Sequence, residues 1–268
     1  MTDPNQPLSP VPDGFVVVDK PLGWSSMDVV RQVRRLVAAE LRAAGHEIRD
    51  KKVRCGHGGT LDPLATGVVV CGVGKATRRL EAVVAAEKIY AAEADLSAFT
   101  ATDDAEAAAE REEVPVETPP TSAEIRHALD ALTGDIDQRV PNFSAVKIDG
   151  KRAYRLARAG EDVDMPVKRV RVERIEVLGY DWPRLRLRVT SGKGVYIRAI
   201  ARDLGQALGT GGHLTALRRE RVGQFTLEGA VRFERDDGAV EADGVAGEAG
   251  VRRWRVAGGG GLPLMPME

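Results

Sequence analysis

The clearest indication of the fold lies in residues 56–70, which read GHGGTLDPLATGVVV. One carboxylate, Asp62, stands in this glycine-rich segment, with Pro63 directly behind it. The apolar run at the end has the composition of a buried β-strand, so Asp62 is predicted to lie in the loop that enters that strand. Two interpretations of Asp62 are open, because Asp-Pro initiates turns and a carboxylate displayed on such a loop can also act as a nucleophile.

Upstream of this segment, the pattern predicts a strand and a capped helix. FVVV at 15–18 is a short apolar run, typical of a strand covered on both faces. Ser25 and Asp28 have the spacing of a capping box. Apolar residues then recur at helical spacing up to Gly45, where the helix is predicted to end.

Downstream of the segment, helices and strands follow one another irregularly. A short helix is predicted at 76–86 and a strand at 88–99. Residues 100–121 are rich in Ala, Glu, Thr and Pro, which predicts an excursion over the surface. Residues 122–133 are predicted to form a capped helix that ends at Gly134.

Two strands that alternate apolar and charged residues, RVRVERIEV and RLRLRVTS, are predicted after residue 166. In the first, the apolar phase slips between Val172 and Ile175, which predicts a β-bulge. A helix at 197–208 is predicted to end at Gly209. Strands outnumber helices in this order of elements, which indicates the α+β class around a mixed sheet.

The composition is that of a folded protein of one or two domains, with 268 residues of which 43% are apolar. No apolar run has transmembrane length, and the N-terminus lacks the basic and apolar regions of a signal peptide, so a cytoplasmic protein without membrane contact is predicted. Cys55 and Cys71 fit a pair of reduced thiols. The four histidines have no metal-ligand spacing, so no metal site is predicted.

The formal net charge of −1 conceals a strong asymmetry along the chain. Residues 91–137 contain thirteen Asp and Glu against two Arg, whereas residues 167–202 contain ten Lys and Arg against three acids. A face suited to an anionic partner is therefore one interpretation of the basic stretch. The other interpretation is that the acidic stretch and the basic stretch are both simply solvated faces.

The chemistry of Asp62 has to be judged against other kinds of site. A nucleotide-binding P-loop is excluded at GVGKAT, because Val69 and Ala76 stand where that motif needs Gly and Ser or Thr. The glycines around Asp62 let the backbone approach a bulky ligand closely. A carboxylate nucleophile needs a positive partner to stay ionised, and Arg198 is the best candidate because it opens a predicted helix after a Gly-rich turn.

Several motifs in order resemble the bacterial tRNA pseudouridine-55 synthases, the TruB family, from about residue 14 to residue 233. They are GFVVVDKPLGWSS, GHGGTLDPLATGVVVCGVGKATR, KIYAAEADL, VPNFSAVKIDGKRAYRLARAG and GVYIRAIARDLGQALGTGGHLTALRRERVGQF. One position departs from the family, since Ala101 replaces a usual Asp while Asp104 keeps the later acid. This leaves the hydrogen bonding of that loop open.

The resemblance implies a role for each matching residue. Asp62 would be the catalytic residue and Arg198 would pair with it. Tyr90 would stack on the target base, and Tyr196 would contact the bound nucleotide. The remaining two residues implied to bind substrate are Leu217, which would wall the pocket, and His57, which would fill the space left in the RNA loop by the flipped uridine. Whether Asp62 attacks the sugar or the base, or abstracts a proton, is left open.

The resemblance also implies a fold and an organisation. The fold would be a pseudouridine-synthase-like α+β fold with a mixed, largely antiparallel sheet flanked by helices and loops. The predicted divisions are a disordered segment at 1–13, a catalytic domain at 14–235 with an RNA-gripping insertion at about 138–166, and a short, reduced C-terminal region at 236–268. The implied activity is isomerisation of uridine 55 in the TΨC loop of tRNA, by a monomer without cofactor, metal or obligatory protein partner.

Two other functions compete with a standalone enzyme. A non-catalytic RNA-binding or tRNA-folding module would use the same basic face but would have no chemical need for Asp62, Tyr90 and Arg198 together. A catalytic subunit of the archaeal and eukaryotic type, which works with a guide RNA and protein partners, would have a full C-terminal RNA-binding domain. The Gly-rich tail after residue 235 favours the standalone enzyme.

Overall fold

A computed structural model describes residues 11–148, 150–160, 163–235, 254–257 and 262–265. The predictions for residues 1–13 and for residues 236–268 fall mostly outside these described residues. Asp13, the last residue of the predicted N-terminal segment, accepts a hydrogen bond from the backbone N–H of Lys75 over 2.6 Å. No described helix is both long enough and apolar enough to cross a membrane.

The described residues form fifteen strands. They are β1 Gly14–Lys20, β2 Cys55–His57, β3 Ala65–Val73, β4 Lys88–Asp95, β5 Ala98–Phe99, β6 Glu112–Glu113, β7 Gly134–Arg139, β8 Lys147–Ile148, β9 Lys151–Arg152, β10 Val167–Asp181, β11 Arg184–Ser191, β12 His213–Val222, β13 Phe225–Thr226, β14 Phe233–Arg235 and β15 Trp254–Val256. The α-helices are α1 Ser26–Ala43, α2 Leu80–Ala85, α3 Ser122–Ala131, α4 Ala153–Arg158 and α5 Ile197–Leu208. Short 3₁₀ segments lie at Asp50–Lys52, Gly74–Arg79 and Ala105–Glu110.

The chain forms two compact units. The first unit combines Met1–Val84 with Gln224–Glu268, and the second is Ala85–Gly223. In the first unit, β3 pairs antiparallel with both β1 and β2. Nearly every residue of β1 and β3 is buried, which explains why these strands are continuous apolar runs rather than alternating ones.

Helix α1 follows the predicted pattern closely. Its N-cap Ser25 accepts from the backbone N–H of Asp28, and the Asp28 carboxylate accepts from the backbone N–H of Ser25 over 2.8 Å, so the capping box is confirmed. Gly45 follows the helix with φ +86°, in the left-handed region that favours glycine. The side chains of Val29, Val30 and Val33 are fully buried and hold α1 in the core of the first unit.

Two later parts of the chain return to β1. Along the side of β1 that does not face β3, Phe15 exchanges backbone hydrogen bonds of 2.9 and 2.8 Å with Met265. Val231 accepts from Asp19 and donates to Val17 in the same way. Both sides of β1 are therefore hydrogen-bonded within the first unit.

In the second unit, five strands form an antiparallel sheet in the order β12, β4, β11, β10, β7. Leu185, Leu187 and Val189 are buried on one face of β11, as their alternation with arginines predicts. The register between β10 and β11 shifts between Val172 and Arg174, which confirms the predicted bulge. The α+β class with a largely antiparallel sheet and flanking helices is confirmed.

Helix α5 lies very close to the segment that leads into β12. It ends at Gly209, which has φ +67° as predicted from the sequence. A Cβ on Gly205 would fall on the backbone of Gly211 and lie 2.8 Å from the N atom of Gly212. Only glycine permits this approach of helix and chain, and it fixes the position of α5 within the second unit.

Four sequence-based predictions differ from the structure. The strand predicted at 88–99 is divided into β4 and β5. The helix predicted at 76–86 is divided into a 3₁₀ segment and α2, and the helix predicted at 122–133 ends at Ala131. Residues 100–121 are not wholly a surface excursion, because Thr100, Thr102 and Asp104 are buried.

Part of the charge asymmetry along the chain is paired within the fold. Asp135 and Asp137 of the acidic stretch lie on β7, directly opposite Arg171 and Arg169 of the basic stretch on β10, and each pair has an N–O distance of 3.3 Å. Arg188 on β11 pairs with Glu220 on β12 over 3.1 Å. These arginines are therefore partly neutralised, and the anion-binding face that the sequence suggested stays a prediction.

Candidate active site

The loop that carries Asp62 is held at the residue immediately before it. The hydroxyl of Ser26, at the start of α1, accepts from the backbone N–H of Leu61 over 2.8 Å and lies 3.2 Å from the Leu61 carbonyl oxygen. Leu61 itself is buried, and the backbone N–H of Ala65 donates to the Asp62 carbonyl over 3.0 Å. These contacts fix the backbone on both sides of a half-buried Asp62 carboxylate.

The turn between β1 and α1 holds Pro63, the residue that follows Asp62. Lys20 is fully buried, and its Nζ donates to the carbonyl oxygens of Trp24 over 2.6 Å and of Pro63 over 3.4 Å. The backbone N–H of Gly23 donates to the same Pro63 carbonyl over 2.9 Å. A buried ammonium group is stable only when it is hydrogen-bonded, so Lys20 ties this turn to the Asp62 loop.

Glycine is required where the loop leaves β2. A Cβ on Gly58 would lie 2.5 Å from Cγ1 of Val83 in α2. Gly59 has φ +115° and Gly67 has φ +104°, a backbone conformation that other residues rarely adopt. The glycines recognised in the sequence thus set the path of the loop against α2.

Tyr90 and Leu217 lie on the same buried face of the second unit. On β4, Tyr90 is opposite Arg219 of β12, and Leu217 is opposite Ala92, two residues further along β4. Tyr90 and Leu217 are buried, and so are Arg219 and Lys88, which stand next to Tyr90 on this face. The two predicted substrate-binding residues are therefore neighbours, with two buried cations beside them.

Neighbouring cations on this face affect the protonation of Lys88. Burial, together with the charges of Arg219 and Lys193, lowers the pKa of Lys88 from its ordinary value to about 8. The Lys88 Nζ donates to the Ala86 carbonyl over 2.6 Å.

Arg198 is held by a set of acceptors within the second unit. Its side chain is buried, and its Nε lies 3.5 Å from a carboxylate oxygen of Asp104, which is also buried. Its two terminal nitrogens donate to the backbone carbonyls of Thr102 over 2.7 Å and Phe143 over 3.0 Å. These groups fix the direction of the guanidinium at the start of α5.

The loop with the altered residue Ala101 is strongly hydrogen-bonded. The Asp104 carboxylate accepts from the Thr102 hydroxyl over 2.6 Å and from the backbone N–H of Glu106 over 3.0 Å, and the Thr100 hydroxyl donates to the Asp104 carbonyl over 2.8 Å. Asp104 therefore supports both the loop and Arg198. The hydrogen bonding of the loop, which Ala101 left open in the sequence, is therefore provided by Asp104 and the two threonines.

Asp103, the neighbour of Asp104, belongs to a second ion pair. It has φ +58° and its carboxylate accepts from Arg202 of α5 over 2.9 Å. Burial raises the pKa of Asp103 to about 6, against the opposing charges of Arg202 and Arg198. This loop and α5 are thus joined by one buried ion pair, Arg198 with Asp104, and one half-buried pair, Arg202 with Asp103.

Tyr196 is the N-cap residue of α5, and the side chain of Gln138 holds its backbone. The Gln138 carbonyl oxygen accepts from the Tyr196 N–H over 2.8 Å, and the Gln138 amide donates to the Tyr196 carbonyl over 3.1 Å. The side chain of Tyr196 packs against a small core made by Val140, Ala153 and Met165. The segment predicted to grip RNA therefore positions the start of α5.

The predicted site residues are divided between the two units. His57 and Asp62 lie in the first, whereas Tyr90, Tyr196, Arg198 and Leu217 lie in the second. That all six share one pocket stays a prediction. Sequence reasoning missed Lys20, Lys88, Gln138 and Arg219. The signal available for Lys88 and Arg219 was a charge at a position whose alternation places it on a buried face, and for Lys20 it was a charge at the end of a strand buried on both faces. Among the described residues, no group of three or more His, Cys, Asp and Glu could hold a metal ion.

Comparison with known families identifies the chain. The model of the TruB family pseudouridylate synthase N-terminal domain matches residues 46–197, more than half of the chain. The chain belongs to the TruB family. A second model, the tRNA pseudouridylate synthase B C-terminal domain, matches residues 198–240. The predicted family and the prediction that the chain is a pseudouridine synthase are confirmed.

Curated relatives agree with this assignment. The tRNA pseudouridine synthase B of Thermobifida fusca is 47% identical over 230 residues, which cover 83% of this chain and 73% of that protein. The tRNA pseudouridine synthase B of Phocaeicola vulgatus is 43% identical over 219 residues, which cover 81% of this chain and 88% of that protein.

Among solved structures, the TruB-family chain is similar to Cbf5. In a Cbf5-Nop10-Gar1 complex the identity is 28% and the TM-score 0.58, over 87% of this chain and 58% of that one. In the archaeal box H/ACA sRNP Nop10-Cbf5 complex the identity is 27% and the TM-score 0.55, over 82% of this chain and 51% of that one. The chain thus spans only about half to three fifths of the length of these solved chains.

Proposed function

We propose that this protein converts uridine 55 in the TΨC loop of tRNA to pseudouridine, with Asp62 as the catalytic residue. Membership of the TruB family gives the reaction, and the relatives named tRNA pseudouridine synthase B point to tRNA as the substrate. The observation that carries the role of Asp62 is the fixed loop around it, held at Leu61 by Ser26 and at Pro63 by Lys20.

The chemistry explains why a rigidly held carboxylate is needed. The bond between N1 of the base and C1′ of the sugar breaks, the base rotates, and a bond forms between C5 and C1′. One proton leaves C5 and N1 gains one, so the reaction is an isomerisation without net oxidation. Asp62 is proposed to react at the sugar, as nucleophile or as base, while the cut base is held for its rotation.

The other residues are proposed to hold the flipped nucleotide. A uridine that leaves the RNA stack needs an aromatic surface and a tight pocket, and Tyr90 with Leu217 beside it offers both. Arg198 would orient Asp62, and Asp104 would in turn keep the guanidinium of Arg198 in place. Tyr196 is proposed to contact the bound nucleotide, and His57 the RNA loop.

The test is a chemical map of pseudouridine in a synthetic T-arm RNA and in full tRNA, after incubation with the purified chain alone. We expect modification at position 55 by the wild-type protein and a loss of many powers of ten for Asp62→Asn, which keeps the shape of the side chain but removes its nucleophilic and basic character. An exposed carboxylate on α3, Asp130, provides the matched control as Asp130→Asn.

Three other results would count against parts of this proposal. Wild-type turnover by Asp62→Asn would contradict the catalytic role of Asp62. Pseudouridine at another position would contradict the specificity. Activity that appears only after addition of a guide RNA or a protein partner would favour a catalytic subunit similar to Cbf5 over a standalone enzyme.

A further inference from the structure

Arg202, in the second turn of α5, joins three parts of the second unit. Its Nη1 donates to the Asp103 carboxylate over 2.9 Å, and its Nη2 donates to the backbone carbonyl of Arg139 over 2.8 Å. Arg139 lies at the start of the insertion at 138–166. One guanidinium therefore connects α5, the loop that contains Asp103 and the insertion.

The base of the insertion is attached to α5 at more than one place. The backbone N–H of Val140 donates to the Pro166 carbonyl over 3.1 Å, so the two ends of the insertion meet. Gln138 bonds to the backbone of Tyr196, at the N-cap of α5. Because Arg202 adds a contact further along the helix, the insertion is fixed in its direction as well as in its place.

Asp103 is unfavourable in itself at this junction. Its φ of +58° lies in the left-handed region, which residues other than glycine rarely adopt. Burial raises its pKa to about 6 even beside Arg202, so at neutral pH the ionised carboxylate lowers the stability of the fold. Residues kept at such a cost cluster at functional sites, which points to a role for the contact with Arg202 other than stability.

The insertion has a charge suited to RNA, whereas Arg202 does not present its own charge. Residues 147–158 contain five Lys and Arg against one Asp. The Arg202 side chain is only 14% exposed, and its guanidinium is bonded to Asp103, to Asp203 and to the Arg139 carbonyl. An effect of Arg202 on RNA would therefore be indirect, through the orientation of the insertion.

We propose that Arg202 is a positioning residue for the RNA substrate: with Asp103, it holds the insertion in the orientation that receives the RNA. The inference rests on the proposed function, since the RNA is the one that Asp62 acts on. Loss of the contact lowers RNA affinity, while bound RNA still reacts at Asp62 because Arg198 keeps its own acceptors.

The first test measures the affinity for the T-arm RNA in the presence of Asp62→Asn, which prevents turnover in every protein, the parent included. Arg202→Met removes the guanidinium. Asp103→Asn removes only the charge of its partner, and asparagine tolerates the left-handed conformation. Arg111→Met is the matched control, because Arg111 pairs with Glu113 over 2.6 Å in the same unit and, among the described residues, has no bond to the insertion.

The expected changes follow from the loss of one shared contact. The dissociation constant of the RNA should rise about tenfold in Arg202→Met and about fivefold in Asp103→Asn, and by less than about twofold in Arg111→Met. The double variant of Arg202 and Asp103 should reach about tenfold, rather than the roughly 50-fold of two independent effects. In proteins that keep Asp62, single-turnover isomerisation at saturating RNA should stay within about twofold of the wild type.

The pH dependence separates positioning from a purely structural role. Asp103 loses its charge as the pH falls, so between about pH 7.5 and about pH 5 the advantage of the parent over Asp103→Asn in RNA affinity should decrease from about fivefold to almost none. A purely structural role predicts the opposite direction, because the stability that Asp103 contributes is greater at low pH. Comparison with Asp103→Asn cancels the titration of the surrounding charged groups, which are Arg198, Arg202 and Asp203 on α5, Asp104 on the same loop, His213 on β12, and Arg139 and Asp164 of the insertion.

Hydrogen exchange in the absence of RNA gives a second measurement. Amides of the insertion should exchange faster in Arg202→Met than in the parent, and at the parent's rate in Arg111→Met. Weaker RNA binding without faster exchange would overturn the inference, because Arg202 would then act on the RNA directly. Faster exchange without weaker binding would overturn it as well, because the contact would then not serve the RNA.

Two further outcomes separate the inference from the proposed function. Unchanged RNA affinity in both Arg202→Met and Asp103→Asn would overturn the inference while leaving the activity of the wild-type protein intact. A wild-type protein that neither binds nor modifies the RNA would overturn the proposed function and the inference with it. If Arg202→Met melts below the parent, Asp103→Asn decides alone, since at neutral pH it is expected to be at least as stable as the parent.

Discussion

Replacement of Asp104 by Asn tests whether this buried carboxylate positions Arg198. One carboxylate oxygen accepts from Thr102 and from the backbone N–H of Glu106, while the other faces the Arg198 guanidinium at 3.5 Å. In Asp104→Asn, an amide that keeps the first set of bonds turns its NH₂ group towards the guanidinium. The reverse orientation loses both bonds to the loop, so neither orientation restores the native contacts.

The expected cost follows from the burial of both partners. Side-chain exposure is 3% for Asp104 and 5% for Arg198, so the solvent does not replace the lost charge. Removal of one partner from a buried ion pair destabilises proteins by about 3 to 5 kcal/mol. We expect about 3 kcal/mol, because the carbonyls of Thr102 and Phe143 still accept from Arg198.

The assay is equilibrium unfolding in urea, together with the turnover of the RNA substrate. We expect a lower urea midpoint and a reduced turnover, whereas Asp130→Asn on the surface of α3 should change the free energy of unfolding by less than about 0.5 kcal/mol. A double-mutant cycle with Arg198→Met should give a coupling energy of about 1 to 3 kcal/mol. A cost below about 1 kcal/mol for Asp104→Asn, with no coupling to Arg198, would refute the reasoning.

Three further predictions concern the second unit. Tyr90→Phe should keep RNA affinity, because Phe retains the aromatic ring and stacking on such a ring is worth about 1–3 kcal/mol per base. Single-turnover isomerisation should become slower, because the hydroxyl is lost. Equal rates for the variant and the wild type would leave Tyr90 as a stacking residue only. In a thermal unfolding assay, Gly205→Ala should destabilise by more than the usual 1–3 kcal/mol of overpacking, because its Cβ meets the backbone of Gly211. Gly209→Ala, whose Cβ meets nothing, should cost about 1 kcal/mol in the same assay. The reverse order of the two costs would contradict the close approach at Gly205. The raised pKa of Asp103, about 6, means that the folded state binds the proton more tightly than the unfolded one, so its contribution to stability is present below about pH 4 and is lost as the pH rises through 6. Relative to Asp103→Asn, the wild-type protein should lose up to about 3 kcal/mol between pH 4 and 7 in urea unfolding, and parallel pH profiles would contradict this.

Local patterns in the sequence were sufficient for the elements that depend on neighbouring residues. The capping box of Ser25 and Asp28, the bulge after Val172 and the helix end at Gly209 are each set by a few consecutive residues. The glycines around Asp62 were also recognised, since a tight loop needs them wherever it lies in the fold.

Long-range partners could not be predicted in this way. Residues 100–104 have the composition of a surface segment, yet Thr100, Thr102 and Asp104 are buried. The hydroxyls of Thr100 and Thr102 donate to Asp104, and Arg198 pairs with its carboxylate. Likewise, the arginines of β10 form a basic block only when the chain is read linearly. The register that places Asp135 and Asp137 opposite them is a property of the sheet.

The pairing of β1 on both of its sides has a consequence for the behaviour of the protein at high concentration. A strand such as GFVVVDK, with high β-propensity and little charge, would template the addition of further chains if one side of its backbone were left open. Val231 and Met265 occupy that side with backbone hydrogen bonds. The short returning segments therefore protect against aggregation, and a change far from Asp62 in sequence can lower the yield of folded protein without affecting catalysis.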